Sequence, residues 1–381
     1  MDKIINALEK GHLTVGIFLD FSKAFDTVNH LILIKKLEKY GVRGNASNWI
    51  TSYLHDRQQF CSFKNKKSSK LHINCGVPQG SILGPLLFLV YLNDLPNISP
   101  KLSTILFADD SNVFISGPNL NNIQNTLNSE IPKLVDWLCA NRLSLNVKKT
   151  HLMIFGQKRT NTPSQIAINI NGQPIEVVKK TKFLGLILDD ALSWKPHITY
   201  ISLKLAKSIG IIARARKSLS GPTLLQIYYL FIYPYITYCN LAWGNAPNTT
   251  LWPVYRLQKL AIRLVANIKQ RNSSLSFCKL KAILRLPEIY QQSTAIFMFK
   301  YANGLLPDIF SNFFVQNNAM HHYPTRAGNQ LRTPLTKTTI ATNFITKTGL
   351  ASWNKLENII RTTLKIGTFK KKLNIYLTGL Y

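Results

Sequence analysis

The sequence predicts an α+β fold, a mostly antiparallel sheet with packed helices followed by an all-helical region, and three observations carry that prediction. Short apolar runs bounded by turn residues recur as far as about residue 190. From about Lys195 helical spacing replaces them, as in Ile198, Ile201, Leu205 and Ile209, with basic Lys204, Lys207, Arg214 and Arg216 around the apolar stripe. The 381 residues are 46% hydrophobic, enough to bury two or three cores and too apolar for wholesale disorder. The expected domains are residues 1–190, 191–310 and 311–381, the last partly irregular.

The first element is the apolar run Val15-Gly16-Ile17-Phe18-Leu19, as in a strand buried on both faces, and it ends on Asp20. Asn29 can cap a helix from His30 to about Tyr40, with Leu31, Leu33, Ile34 and Leu37 on its apolar side and Gly41 as terminator. A second helix follows over about Ala46 to His55. Gln58–Phe63 and Leu71–Asn74 read as a hairpin around a Lys-rich loop, then Gly76-Val77-Pro78-Gln79-Gly80 as a turn, then an apolar helix through Leu92.

The runs Leu102–Leu106 and Asn112–Ile115 form a second hairpin with Phe107-Ala108-Asp109-Asp110 at its tip. A long amphipathic helix covers about Asn121 to Asn141, on Ile123, Leu127, Ile131, Leu134, Val135 and Leu138. Strands return at Met153–Phe155, Ile166–Ile170, where Asn171-Gly172 is a hairpin turn, and Phe183–Leu188. Asp189 and Asp190 are expected to serve the turn and helix cap before Trp194. Leu251–Val265, Ser274–Leu284 and Glu288–Asn303 continue the helical region, and Asn317–Lys337, polar and rich in His, Pro and Thr, reads as a loop.

The formal charge is +30, from 47 Lys and Arg against 17 acidic residues, and it is spread along the chain. Lys64, Lys66, Lys67 and Lys70, Lys148 and Lys149, Lys158 and Arg159, Lys179, Lys180 and Lys182, and Lys370 to Lys372 outnumber any set of internal ion pairs. A nucleic-acid backbone explains this excess better than an anionic membrane does. Thr223–Trp243, the longest apolar-rich stretch, is interrupted by Gln226, Pro234 and Asn240, which favours a buried helix and turn; no membrane partner is expected. Five scattered cysteines without CxxC spacing indicate neither a zinc site nor a disulfide frame, and the charged N-terminus does not read as a secretory signal. A soluble, intracellular protein is expected.

Carboxylates are scarce, so three at strand ends stand out. Asp20, Asp109 and Asp110 either serve as local turn acids or converge on two Mg²⁺ ions held through oxygen, the arrangement polymerases use for in-line phosphoryl displacement.

Five ordered motifs decide how these residues are read. Phe18-Leu19-Asp20-Phe21-Ser22-Lys23-Ala24-Phe25-Asp26, Gly76-Val77-Pro78-Gln79-Gly80-Ser81, Phe107-Ala108-Asp109-Asp110, Leu143-Ser144-Leu145-Asn146 with Lys149-Thr150, and Phe183-Leu184-Gly185 follow the order of reverse transcriptase motifs A to E. The chain resembles the reverse transcriptases of non-long-terminal-repeat, LINE-type retrotransposons, most of all the Jockey and CR1-like group. Tyr235-Ile236-Thr237-Tyr238 with Trp243-Gly244, and Leu257 to Arg263, also look like that group's C-terminal region.

The resemblance implies a right-hand polymerase palm followed by a helical thumb, acting as an RNA-directed DNA polymerase on an RNA template, a DNA primer and dNTPs, with a nuclear location plausible. It implies that Asp20 and Asp109 hold two Mg²⁺ ions and Asp110 completes the cluster. Phe25 takes the place of the ring that excludes a ribose 2′-hydroxyl, Gln79 and Gly80 that of the turn touching template and nucleotide. Lys149 corresponds to a lysine facing the leaving pyrophosphate, and Phe183, Leu184 and Gly185 to the primer grip. The family's fingers region, upstream endonuclease and C-terminal Cys/His knuckle have no counterpart, so an N-terminally truncated element is expected. A catalytically inactive nucleic-acid-binding remnant is the alternative.

Overall fold

The computed structural model describes residues 1–156, 166–268, 273–315 and 331–380. They form a mixed α+β chain in two units, Lys10–Leu184 and Met1–Glu9 with Gly185–Tyr381. Helix α1 (Asp2–Glu9) opens the chain within the second unit, and the first begins at strand β1 (Leu13–Leu19). There follow α2 (His30–Lys39), α3 (Asn45–Leu54), a ribbon of β2 (Arg57–Gln59), β3 (Ser62–Phe63), β4 (Lys66–Lys67) and β5 (Leu71–Ile73), and α4 (Leu83–Leu92). Next come β6 (Ser103–Phe107), β7 (Asp110–Gly117), α5 (Leu120–Ala140), β8 (His151–Phe155), β9 (Asn169–Ile170), β10 (Gln173–Pro174), β11 (Glu176–Val177) and β12 (Lys180–Phe183).

β1 is the middle of a five-stranded sheet of order β11-β8-β1-β7-β6, antiparallel except where β11 runs parallel to β8. Its apolar run is continuous because both faces are covered. Val15, Ile17 and Leu19 join a core with Leu33, Phe88, Tyr91, Leu127 and Leu134 from α2, α4 and α5, each such side chain stabilising the fold by about 1.5–3 kcal/mol. On the other face Phe18 meets Phe114 edge-on at 5.9 Å. Gly16 makes room there, since a Cβ at that position would lie 2.8 Å from the Phe114 ring.

Asn29 caps α2 as its sequence predicts, its side-chain oxygen accepting from the Ile32 N–H at 3.1 Å. Lys36 of α2 reaches the Tyr91 carbonyl (2.6 Å) and the Asp94 carboxylate (2.7 Å), tying α2 to the end of α4. Asn171-Gly172 turns between β9 and β10 with both residues at positive φ, as the dipeptide predicts.

Several expectations differ. The run Phe183–Leu188 is not one strand: Leu184 (φ +45°) and Gly185 (φ +80°) turn the chain between β12 and β13 (Leu186–Asp189), and apolar character alone does not reveal a left-handed leucine. Of Ile166–Ile170 only Asn169–Ile170 is strand. Lys158, Arg159 and residues 317–330 of the expected loop lie outside the described residues; 331–337 contain neither helix nor extended strand.

The second unit continues with α6 (Lys195–Ala215), α7 (Gly221–Phe231), α8 (Tyr233–Thr237), α9 (Asn240–Trp243), α10 (Asn248–Val265), α11 (Leu275–Leu280) and α12 (Leu286–Ala302). It ends with α13 (Thr339–Thr342), α14 (Ile345–Lys355), α15 (Asn358–Arg361) and α16 (Ile366–Gly379). Helix α11 stops short of the expected Leu284 because Ala282 adopts φ +51°. Thr223–Trp243 is a succession of short helices broken by Pro234, and no helix among the described residues is long and apolar enough to cross a membrane.

Buried Gln258 knits this unit together. Its Nε2 donates to Tyr228 Oη and the Leu284 carbonyl, both at 3.0 Å, and its Oε1 accepts from the Leu286 N–H at 2.7 Å. Asp189 is the turn acid expected of it: buried, it accepts from the Ser193 (3.0 Å) and Trp194 (3.1 Å) amides just before α6.

The clasp between α1 and α13 joins residues far apart in the chain. The Glu9 carboxylate accepts from the Lys337 and Thr338 amides, each at 2.7 Å, and from the Thr338 hydroxyl. Burial opposes ionisation, but the Thr338 hydroxyl, the two amides and the Lys337 charge outweigh it and hold Glu9 below its ordinary value of 4.5. A depressed carboxyl contributes stability above its unfolded-state value that is lost as pH falls through the folded one. Thermal melts of the chain are therefore expected to lose stability below about pH 4.5 in part through Glu9. Glu9→Gln should flatten that part of the pH profile, and an unaltered profile would show that the clasp contributes nothing.

Candidate active site

Asp20 follows directly on β1, and a loop from a distant part of the sequence fixes its backbone. The Asp20 carbonyl accepts from the Asn146 N–H at 2.8 Å, and its N–H donates to Thr150 Oγ1 at 3.3 Å. Thr150 is fully buried and donates to the Asn146 carbonyl (3.1 Å), while the Ser22 N–H reaches the Ser144 carbonyl (2.9 Å) and Phe21 bridges to Leu145. The segment 144–150 thus sets where the residue after β1 stands.

Asp109 and Asp110 come from the β6–β7 hairpin. Phe107 pairs with Asp110, leaving Ala108-Asp109 as a two-residue turn with Ala108 at φ +51°, a left-handed conformation that costs a non-glycine residue about 1–2 kcal/mol. Strain of that kind gathers at functional sites.

Register brings the two ends together. β1 pairs with β7 so that Leu19, the residue before Asp20, faces Ser111, the residue after Asp110, and the Asp20 charge reaches the Asp110 carboxyl. By alternation both belong to the sheet face of Phe18 and Phe114.

The charges feel one another. Desolvation, then Asp109, then Asp20 push the Asp110 carboxyl above its ordinary value, with the Lys182 ammonium opposing them. Asp109 and Asp110 remain exposed and Asp20 half-buried. A carboxyl raised in part by two acidic neighbours, and those neighbours themselves, are hard oxygen donors that suit a divalent cation. They are not preassembled, however: among the described residues no group of three or more His, Cys, Asp or Glu forms a ready metal cage.

The residues around this cluster fall into two groups. Phe25 lies half-buried on the fully buried Phe88, ring centroids 4.5 Å apart and planes 30° apart. Its carbonyl accepts from the Val77 N–H (2.8 Å), and the Val28 carbonyl accepts from the Gly76 N–H (2.7 Å). Gly76 allows that approach, at φ +91° with an added Cβ only 2.8 Å from the Asp26 carbonyl oxygen. Gln79 donates through Nε2 to Asp26 Oδ1 at 3.0 Å, and Gly80 follows at φ +83°.

In the other group, Lys149 is exposed on the loop that holds Asp20, its N–H bonded to the Asn146 carbonyl at 3.0 Å. The Phe183 ring meets Phe18 edge-on at 6.0 Å on the carboxylate face, and Leu184 and Gly185 make the turn beyond it.

Sequence reasoning did not single out Thr150, Asn146, Asp26 or Phe88, which position other side chains. The first three sit inside the quoted motifs, the available signal; Phe88 had none beyond its apolar helix.

A family model described as "Reverse transcriptase (RNA-dependent DNA polymerase)" matches residues 2–188. The probable RNA-directed DNA polymerase from transposon X-element of Drosophila melanogaster is 26% identical over 284 residues, covering 72% of this chain and 31% of that protein. The RNA-directed DNA polymerase from mobile element jockey of the same fly is 28% identical over 273 residues, covering 69% and 29%. The chain thus spans about 30% of the length of these relatives. A solved structure of telomerase from Candida albicans in complex with a telomeric RNA fragment overlaps 82% of this chain and 50% of its own, at 12% identity and TM-score 0.34, too loose a likeness to bear on the fold.

Proposed function

Residues 2–188 belong to the reverse transcriptase family, of the LINE-type, non-LTR retrotransposon kind, and from that premise we propose that this chain is an RNA-directed DNA polymerase adding dNTPs to a primer 3′-hydroxyl. The observation that carries the reading is the register that pairs Leu19 with Ser111, so that Asp20 follows β1 at the end where Asp110 opens β7, with Asp109 beside it on the hairpin turn.

The family generally uses divalent metal ions; here Asp20, Asp109 and Asp110 would hold two Mg²⁺. Bound there, the pair would lower the pKa of the primer hydroxyl and stabilise charge on the departing pyrophosphate. The chain's own residues supply position. The 144–150 loop fixes Asp20, and Phe25, backed by Phe88, presents a ring edge where a 2′-hydroxyl would stand. Because the Asp26 carboxylate can only accept, it takes an N–H of Gln79 and leaves the Gln79 carbonyl oxygen for the nucleotide or template. Gly80 lets backbone approach closely, Lys149 faces the pyrophosphate, and Phe183 with Leu184 and Gly185 grips the primer. In this reading residues 1–190 are the palm, helices within 191–310 the thumb, and 311–381 a C-terminal region. The +30 charge serves the backbones of template and primer, a contact indifferent to sequence.

The test is extension of a DNA primer annealed to an RNA template. Incorporation is expected with Mg²⁺ and none after chelation with EDTA. A folded chain that binds the hybrid in a salt-sensitive way without extending it would replace this reading with that of a silent nucleic-acid-binding remnant.

A further inference from the structure

The ribbon β2–β5 is not used by the chemistry above, and its composition is one-sided. Between Arg57 and Ile73 lie five Arg or Lys residues and no acid. The strands β3 and β4 pair Ser62 with Lys67 and Phe63 with Lys66. The tip Lys64-Asn65 has both residues at positive φ (+45° and +63°), the geometry of a tight hairpin turn. Below it the ladder continues through Cys61 and Ser68 with two bonds of 2.9 Å.

Two aromatic rings are left in water here: Phe63 is 74% exposed and Phe60 44%. Each carries an ammonium, Lys64 Nζ at 5.5 Å from the Phe63 centroid and Lys67 Nζ at 5.4 Å from that of Phe60. An exposed two-stranded ribbon gains little from such rings as packing, because no core receives them.

We propose that this ribbon binds single-stranded nucleic acid, with Phe63 and Phe60 stacking on unpaired bases and Lys64, Lys66, Lys67 and Lys70 holding the adjoining phosphates. A ring beside a cation matches the alternation of base and phosphate along a strand. A duplex would satisfy the lysines but not the rings, since its base faces are covered. An anionic membrane fits less well, because each ring lies under its own ammonium and a membrane-bound face keeps its rings apart from its cations. The proposal rests on the ribbon's own chemistry and stands or falls apart from the polymerase reading.

The test uses the full chain, fluorescence anisotropy with a labelled oligo(U) and with an RNA duplex of equal length, and vesicles containing phosphatidylserine. Phe60→Ala/Phe63→Ala is expected to weaken oligo(U) binding roughly tenfold or more, from the stacking lost at each ring. It should leave the salt dependence and the duplex affinity unchanged. Lys64→Gln/Lys66→Gln/Lys67→Gln should lower the slope of log affinity against log salt by about 2, at about 0.7 per phosphate contact on a single strand. Photo-crosslinks from 4-thiouridine RNA should map to residues 57–73. Equal losses on duplex and single strand, crosslinks confined elsewhere, unchanged oligo(U) affinity, or ring-dependent vesicle binding would each overturn the proposal. All substituted side chains are exposed, so matched melting curves will show that folding is not the cause.

Discussion

Asp109→Asn is expected to abolish primer extension, by roughly three orders of magnitude or more, while changing RNA affinity less than about twofold. Asparagine keeps the size of aspartate and its tolerance of tight turns, so the two-residue turn after Phe107 should survive the change. What disappears is one negative charge at the point where β1 and β7 end together. A thousandfold loss corresponds to about 4 kcal/mol of barrier, in keeping with the several kcal/mol that a correctly held cation contributes to charge stabilisation. Binding should persist because the change leaves all 47 Lys and Arg in place. The variant also removes one of the two carboxylates that hold Asp110 above its ordinary value, so the Asp110 titration, followed by carboxyl carbon NMR, should move down. Extension within tenfold of the parent would sink the catalytic role of Asp109, and a collapse of RNA affinity in a folded variant would mean that the carboxylates organise binding.

Phe88→Ala should cost about 3–5 kcal/mol, the range for deleting a fully buried phenylalanine ring. For a unit of the size of Lys10–Leu184 that is a fall in melting temperature of roughly 6–20 °C. The same change should reach the nucleotide. Phe88 is the floor on which Phe25 lies at 4.5 Å, and a ring without its floor can yield to a larger sugar. Discrimination between dNTP and rNTP is therefore expected to weaken in Phe88→Ala, measured at a temperature where the variant is folded. Phe88→Leu should recover most of the stability and part of the discrimination. Unchanged discrimination beside a clear loss of stability would separate Phe25 from the sugar and leave Phe88 a core residue only.

Much of the fold is visible in local patterns. The run Val15–Leu19, the cap at Asn29, the hairpin on either side of Ala108-Asp109, the α5 stripe and the Asn171-Gly172 turn all declare themselves within a dozen residues, because periodicity and turn chemistry act at that range. Contacts between distant segments are less legible. Nothing near Leu19 announces that it pairs with Ser111, nor that Thr150, 130 residues on, will hold Asp20. The order of the motifs hinted at this proximity, and the ladder supplies the register. Leu184 escaped because leucine rarely adopts positive φ, and only the adjacent Gly185 signals a turn. Helices α1 and α13–α16 were missed for another reason: α13 and α15 are single turns, and the apolar residues of this region acquire meaning only against partners far away in sequence, as Leu350 does against Met298.

The Glu9 clasp bears on how the molecule is made. α1 is synthesised long before its partners: Lys337 and Thr338, the groups that complete the clasp, are polymerised 328 and 329 residues after Glu9. At about 5–20 residues per second the nascent helix must wait on the order of 15–65 s. Lys10–Leu184 has by then been fully synthesised and can condense around β1, whereas the clasp of the helical unit cannot close until Thr338 has been made. Translational pausing downstream of residue 184 should therefore expose α1 to proteases and chaperones while sparing the sheet.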